Sequence, residues 1–232
     1  KQIQSDVIKP IEFPVPDRPA GVTDVVNLAV APIDTVRVGF IGLGMRGPGA
    51  VKRFTHLEGV KIVALCDIHP ERVEDCQKVL RKAGLPEATD YSGSADAWKK
   101  LCERDDIDLV YISTDWDTHV PMSLFAMEHG KHVACEVPIA LTVEDCWKLV
   151  DMAEKTRLHC MMLENCCYDF FEMATLNMAQ KGILGEIVHA EGAYIHDLRQ
   201  LNFEDPARGG YNNWWRLEYN THHTGNQYAT HG

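Results

Sequence analysis

Apolar and polar positions follow two different periods along most of the chain. Short apolar runs typical of buried strands lie at 35–42, 61–67, 107–113, 131–135 and 158–163. Segments with helical spacing follow them at 47–57, 70–84, 120–130, 142–156 and 168–182. A weaker strand is predicted near 88–91, and Thr142 is the predicted N-cap of its helix. Strands that alternate with helices predict a doubly wound α/β fold, with a parallel sheet covered on both faces.

The pattern changes beyond residue 163. Residues 185–197 alternate over a long stretch and predict a strand, whereas residues 198–232 are rich in Asn, Trp, Tyr and His. A segment with so few aliphatic residues cannot form a core, so we predict only the start of an open-sheet α+β domain, whose remainder is absent. Residues 1–34, which contain several prolines, are predicted to be an arm over the body.

A glycine-rich turn follows the first strand. Residues 42–47, GLGMRG, have the spacing G-x-G-x-x-G, and Asp67 ends the next strand about twenty residues on. Gly42 would permit the turn, Gly44 would let a pyrophosphate approach the helix N-terminus, and Gly47 would allow close helix packing. Asp67 would bind ribose hydroxyls and favours NAD over NADP, although Arg46 could meet a 2′-phosphate.

This context predicts a dinucleotide-binding Rossmann domain at 35–165, followed by the start of the second domain at 166–232. A glycine turn in an α/β protein that binds no nucleotide is the alternative. Ligands of such sheets bind beyond the carboxyl ends of the strands, where residues 113–119, Glu136 and 164–168 lie. Glu136 is therefore predicted at the nicotinamide end of the site. Its alternative role is a helix N-terminal carboxylate or an ion pair.

Composition excludes several classes of protein. The formal net charge of −11 argues against nucleic acid as the main partner, and no apolar run is long enough to span a membrane. None of the eight cysteines forms a CxxC pair, and we interpret them mainly as buried structural thiols. The adjacent His222 and His223 lack a suitably spaced third ligand, so we predict no metal site.

The predicted second domain carries groups that suit a sugar. Tyr194 and His196 share one face of the strand with small residues, although a lone histidine is often structural. Trp214, Trp215 and Arg216 lie among several asparagines, and aromatic faces with such donors suit an N-acetylated sugar. The alternative for these aromatic residues is a contact in a homo-oligomer.

Several motifs together resemble a known family. The glycine turn, Asp67, TDWDTH at 114–119 and the turn at Glu136 are similar to the glucose–fructose oxidoreductase/inositol dehydrogenase superfamily. Most of its members have lysine where this chain has Val137 before Pro138. One branch resembles the Glu-Val-Pro sequence: the NAD-dependent glycoside hydrolases of family 109, which are α-N-acetylgalactosaminidases. The likeness continues through MLENCCY, GAYIHDLR, NNWWRLEYN and GNQYATHG and covers nearly all of residues 36–232.

The resemblance implies a reaction and a set of site residues. Terminal α-N-acetylgalactosamine would be hydrolysed by NAD-mediated oxidation at C3, elimination across C1–C2, addition of water and re-reduction. The residues implied around NAD are Met45, Arg46, Asp67, Trp116, Asp117, Thr118, His119, Glu136, Val137 and Asn165. Those implied around the sugar are Tyr194, Arg216, Tyr228, Ala229, Thr230 and His231.

Catalytic roles and rival functions stay open at the level of the sequence. His231 is our candidate base for the C3 hydroxyl and Tyr228 for the C2 proton, with Tyr194, His196 and Glu136 as alternatives. The rival functions are an NAD-dependent sugar dehydrogenase and a non-catalytic NAD-binding protein. The resemblance also implies an exported protein of carbohydrate metabolism, with a cytoplasmic location as the alternative.

Overall fold

The computed structural model describes residue 17 and residues 20–191, which contain a six-stranded sheet. The strands are β1 Val36–Ile41, β2 Val60–Asp67, β3 Thr89–Ser92, β4 Leu109–Ile112, β5 His132–Glu136 and β6 Cys160–Leu163. Their order in the sheet is β3-β2-β1-β4-β5-β6, and every neighbouring pair is parallel. This is the doubly wound sheet that the alternation predicts, including the weak strand β3.

Helices connect the strands. They are α1 Gly47–Phe54, α2 Pro70–Lys82, α3 Ala97–Cys102, α4 Trp116–Glu128, α5 Val143–Thr156 and α6 Phe170–Gln180. The short helix α3 was not predicted. Helix α4 begins at Trp116, not at residue 120, because the Asp115 side chain accepts a hydrogen bond from the Thr118 amide and caps the helix.

Two apolar cores lie on opposite faces of the sheet. One core contains Ile41, Val110 and Ile112 from the strands and packs against α3, α4 and α5. The other contains Phe40 and Leu65 and packs against α1 and α2. Helices on both faces explain why the strands are nearly continuous apolar runs and show little alternation.

Near the two ends of the described residues, the predicted arm, helix and strand are found only in part. Arg157, just after α5, donates hydrogen bonds to the carbonyls of Thr23 and Asp24, so this part of the arm lies against the end of α5. Helix α6 forms where predicted but buries none of its residues. Residues 185–191 do not form the beginning of the predicted strand. A strand needs a hydrogen-bonded neighbour, and the described residues provide none there; the rest of that strand lies outside them.

The cysteines have the predicted buried, structural role only in part. Cys66, Cys76, Cys102 and Cys135 are buried thiols, and burial raises the pKa of Cys66 to about 12, which makes it a poor nucleophile. Cys146, Cys166 and Cys167 are exposed, so the structural interpretation does not extend to them. Within residues 20–191, each helix is too short or too polar to cross a bilayer.

Candidate functional site

The glycine-rich turn connects β1 to α1 and allows no side chain at two positions. Gly42 has φ +89°, and a Cβ there would lie 2.5 Å from the Ser113 carbonyl oxygen. A Cβ on Gly47 would lie 2.2 Å from the Gly42 carbonyl oxygen. The Ser113 hydroxyl donates to that same oxygen at 2.7 Å. The roles predicted for Gly42 and Gly47 are thus explained by close backbone contacts at the N-terminus of α1.

Asp67 lies beside this turn, with its side chain directed at backbone amides. Oδ2 accepts from the Leu43 amide at 2.7 Å and Oδ1 from the His69 amide at 2.9 Å. Arg72 Nη1 lies 3.5 Å from Oδ1, and only 6% of Asp67 is exposed. A carboxylate has further lone pairs, so binding of ribose by Asp67 stays a prediction. The sequence analysis missed the structural role, which joins the end of β2 to the glycine turn.

Glu136 ends β5 and has a partner for each carboxylate oxygen. The Tyr111 hydroxyl donates to Oε1 at 2.6 Å, and Arg46 Nε lies 3.7 Å from Oε2. The alternative of an ion pair for Glu136 is therefore present in the structure. Arg46, in the glycine turn, pairs with Glu136, so this contact links the predicted pyrophosphate site to the predicted nicotinamide end.

The start of α4 brings His119 to the turn after β5. Nδ1 of His119 donates to the Pro138 carbonyl at 2.7 Å, which fixes the proton on Nδ1 because a carbonyl only accepts. Burial lowers the pKa of His119, so the ring is neutral. Nε2 is buried and has no hydrogen-bond partner among the described residues. His119 thus has no proton on the nitrogen that remains available.

The other residues predicted near the cofactor differ in position. Trp116 is buried, Asp117 and Met45 are exposed, and Thr118 donates its hydroxyl to Thr114 Oγ1 at 2.7 Å. Asn165 follows β6 and is exposed, and no described contact joins it to Glu136. The predicted residues that lie outside the described ones are Tyr194, His196, Trp214, Trp215, Arg216, His222, His223, Tyr228, Ala229, Thr230 and His231.

The structure adds Tyr111 to the site and gives Ser113, the first residue of the predicted segment 113–119, a contact with the glycine turn. Tyr111 belongs to the run IDLVYIS at 107–113, in which a phenol near the carboxyl end of a buried strand is the signal that could have identified it. The described residues hold no cluster of His, Cys, Asp or Glu that could bind a metal.

The arrangement fits a dinucleotide. The turn at Gly42 and Gly47 is too crowded for any Cβ but leaves backbone amides at a helix N-terminus, which is where a pyrophosphate binds. Asp67 ends β2 and Glu136 ends β5, and these two strands lie on opposite sides of β1, from which the turn begins. Gly42, Gly44 and Gly47 would therefore hold the pyrophosphate, with Asp67 and Glu136 toward the ends of the cofactor.

Comparison with protein families agrees with this fit. Residues 36–164 match the oxidoreductase family with an NAD-binding Rossmann fold. Residues 168–232 match the C-terminal domain of glycosyl hydrolase 109. The boundary near Asn165 stays a prediction, although it falls between the two matched segments.

Individual relatives are similar over almost the whole chain. A glycosyl hydrolase family 109 protein 1 of Bacteroides fragilis is 64% identical over 228 residues, which are 98% of this chain and 48% of that protein. An alpha-N-acetylgalactosaminidase of the same species is 60% identical over 210 residues, covering 90% of this chain and 49% of that protein. The chain therefore spans about half the length of the relatives that it matches.

Solved structures confirm the fold. The scyllo-inositol dehydrogenase of Lactobacillus casei, with bound NAD(H) and scyllo-inositol, matches with TM-score 0.58 and 20% identity over 66% of this chain and 43% of that one. The myo-inositol 2-dehydrogenase of Lactobacillus plantarum matches with TM-score 0.57 and 22% identity, over 66% and 43%. Together with the family models and the sequence identity, this shows that the chain belongs to glycosyl hydrolase family 109 and contains an NAD-binding Rossmann domain at residues 36–164.

Proposed function

We propose that the protein to which this chain belongs hydrolyses terminal α-N-acetylgalactosamine with NAD as a resident cofactor. A relative that is 60% identical carries the name alpha-N-acetylgalactosaminidase, and residues 168–232 match the C-terminal domain of the same hydrolase family. The observation that carries the proposal is the end of β5. Glu136 is held at the sheet edge by two partners, and the next residue is Val137, which has no ionisable group.

The described residues would bind and orient the cofactor, and Val137, the residue after Glu136, carries no base. When bound, NAD would supply a hydride acceptor for C3 of the sugar, and a ketone at C3 would make the C2 proton acidic enough for elimination at C1. The turn at Gly42 and Gly47 would hold the pyrophosphate, while Val137 and the neutral His119 carry no charge near the end of β5. We expect the base from the second domain, where His231 and Tyr228 are our candidates; Tyr194, His196 and, at the end of β5, Glu136 stay the alternatives.

A sugar dehydrogenase is the second candidate function. The observation in its favour is that residues 36–164 match an oxidoreductase family and share the fold of inositol dehydrogenases. Such an enzyme would release NADH in proportion to the sugar oxidised, whereas the proposed hydrolase returns the hydride within each turnover. Accumulation of NADH thus separates the two functions.

The test is hydrolysis of an aryl α-N-acetylgalactosaminide in D₂O by the full-length protein, with no NAD⁺ added. We expect aryl release without NADH accumulation, and NMR of the free sugar should show deuterium at C2. No aryl release, together with NADH formation from free sugars when NAD⁺ is supplied, would assign the protein to the dehydrogenases. A His231→Ala variant that keeps full hydrolytic activity would contradict the role proposed for His231.

The exported location stays a prediction. Fractionation of the native host would test it, and we expect the protein outside the cytoplasm. The homo-oligomer is likewise a prediction, for which light scattering of the full-length protein is the measurement.

A further inference from the structure

Tyr111 is a buried residue of a central strand, and its ring is packed on both sides. It lies on β4, between β1 and β5, and is 4% exposed. Its ring packs against Phe40 at a centroid distance of 5.0 Å and against Phe54 at 5.7 Å. These contacts fix the ring, and the hydroxyl at its end is consequently held at one point of the sheet edge.

That hydroxyl is a permanent donor. Burial, followed by the hydrogen bond to Glu136, raises the pKa of Tyr111 far above its usual range. The phenol therefore keeps its proton at any pH at which the protein would work. Its hydrogen bond to Oε1 of Glu136 is 2.6 Å long, which is typical of a charge-assisted bond between a hydroxyl and a carboxylate.

The second oxygen of Glu136 has a weaker partner. Arg46 Nε lies 3.7 Å from Oε2, and half of the Arg46 side chain is exposed, whereas 12% of the Glu136 side chain is exposed. An ion pair that is so exposed contributes little by itself. The orientation of the carboxylate consequently depends on Tyr111, and Arg46 connects that carboxylate to the glycine-rich turn.

We propose that Tyr111 is a positioning residue, which orients Glu136 so that the end of β5 and the glycine-rich turn bind the cofactor as one unit. This inference deepens the proposed function at its cofactor site, but it depends only on NAD binding and not on the reaction with a sugar. Removal of the hydroxyl leaves the ring and its aromatic contacts in place. It therefore releases Glu136 without opening the core.

The experiment is calorimetric titration of NAD⁺ into the protein and five of its variants. Tyr111→Phe should lower the affinity about tenfold, the size expected for a lost charge-assisted hydrogen bond. Because Tyr111 acts through Glu136, the same change in a Glu136→Ala background should cost less than about twofold. Equal losses in the two backgrounds, or an unchanged affinity of the single variant, would overturn the proposal.

Two further variants keep the test decisive. Tyr91→Phe is the matched control, since it removes a hydroxyl from a partly buried tyrosine on β3, which three strands separate from β5. Its NAD⁺ affinity should stay within about twofold of wild type. Glu136→Gln retains an acceptor for Tyr111 and should lose less affinity than Glu136→Ala, even if Tyr111→Phe folds poorly. Equal losses in these two Glu136 variants would contradict a role for the Tyr111 hydrogen bond.

The outcome is separable from that of the proposed function. A wild type that binds NAD⁺ and shows the coupling, but does not hydrolyse the galactosaminide, would remove only the proposed hydrolase activity. A wild type that hydrolyses the galactosaminide while Tyr111→Phe binds NAD⁺ normally would remove only the role of Tyr111.

Discussion

Asp67 at the end of β2 accepts a hydrogen bond from the amide of Leu43, and the two atoms are 2.7 Å apart. Leu43 belongs to the glycine-rich turn after β1, so the residue predicted to bind ribose also fixes the turn predicted to bind the pyrophosphate. The predicted ribose-binding and pyrophosphate-binding parts of the site are therefore not independent, and a change at Asp67 should affect both.

Replacing Asp67 with Asn tests this double role. One of the two backbone amides, the buried one at Leu43 or the partly buried one at His69, would then face an NH₂ group. A hydrogen bond to a charged acceptor is worth about 1.5–3 kcal/mol. We expect a lower melting temperature and an NAD⁺ affinity reduced at least about tenfold. Asp90→Asn, an exposed change on the neighbouring strand β3, is the control. Normal stability of the Asp67 variant would show that the amide contacts carry no energy.

Gly47 and Gly49 form a matched pair in α1. A Cβ on Gly47 would lie 2.2 Å from the Gly42 carbonyl oxygen, whereas a Cβ on Gly49 would meet only the flexible end of Arg53 at 3.4 Å. Gly47→Ala should displace the turn and abolish measurable NAD⁺ binding. Gly49→Ala should retain binding and gain stability by up to about 1 kcal/mol, because alanine is the better helix former. Equal NAD⁺ affinities for the two variants would refute the close contact at Gly47.

The neutral His119 predicts a dependence of stability on pH. Its pKa is lowered in the folded protein, so the unfolded chain binds more protons below about pH 6.5, and folding is then penalised. The free energy of unfolding should fall as the pH drops below that point, by up to about 1.4 kcal/mol per pH unit.

His119→Asn keeps a donor for the Pro138 carbonyl but cannot titrate, so urea titrations should give a smaller slope with pH. His132, whose pKa burial also lowers, remains and contributes with the same sign. His56→Asn, at an exposed position, is the control substitution. An identical slope in wild type and His119→Asn would rule out the buried neutral imidazole.

The N-caps of α4 and α5 provide another comparison. Asp115 accepts from the Thr118 amide and Thr142 from the Asp145 amide, so replacement of either residue with Ala should cost about 1 kcal/mol of stability. Of these two helices, α4 begins within the predicted cofactor site and α5 begins outside it. Asp115→Ala should therefore weaken NAD⁺ binding, and Thr142→Ala should not, as measured by titration after both melting temperatures are known. Equal effects on binding would place the start of α4 outside the site.

Periodicity was sufficient for the sheet, because each strand is a buried apolar run bounded by turn residues. It was insufficient for α3, which has fewer than two turns, and for the start of α4, where the capping role of Asp115 makes residues 116–119 helical. Tyr111 and Glu136 are 25 residues apart in the sequence and lie on neighbouring strands, and their contact depends on the register of those strands and on both rotamers. No local pattern encodes such a contact. The candidates in the second domain stay predictions.

The sequence boundaries of the sheet have a consequence for synthesis. Its six strands occupy residues 36–163, so a ribosome completes the Rossmann domain before it reaches α6. Helix α6 then emerges with Phe170 and Phe171 largely exposed, at 84% and 79%. We expect the nascent chain to fold in two stages, with this aromatic surface open to chaperones during the interval between them.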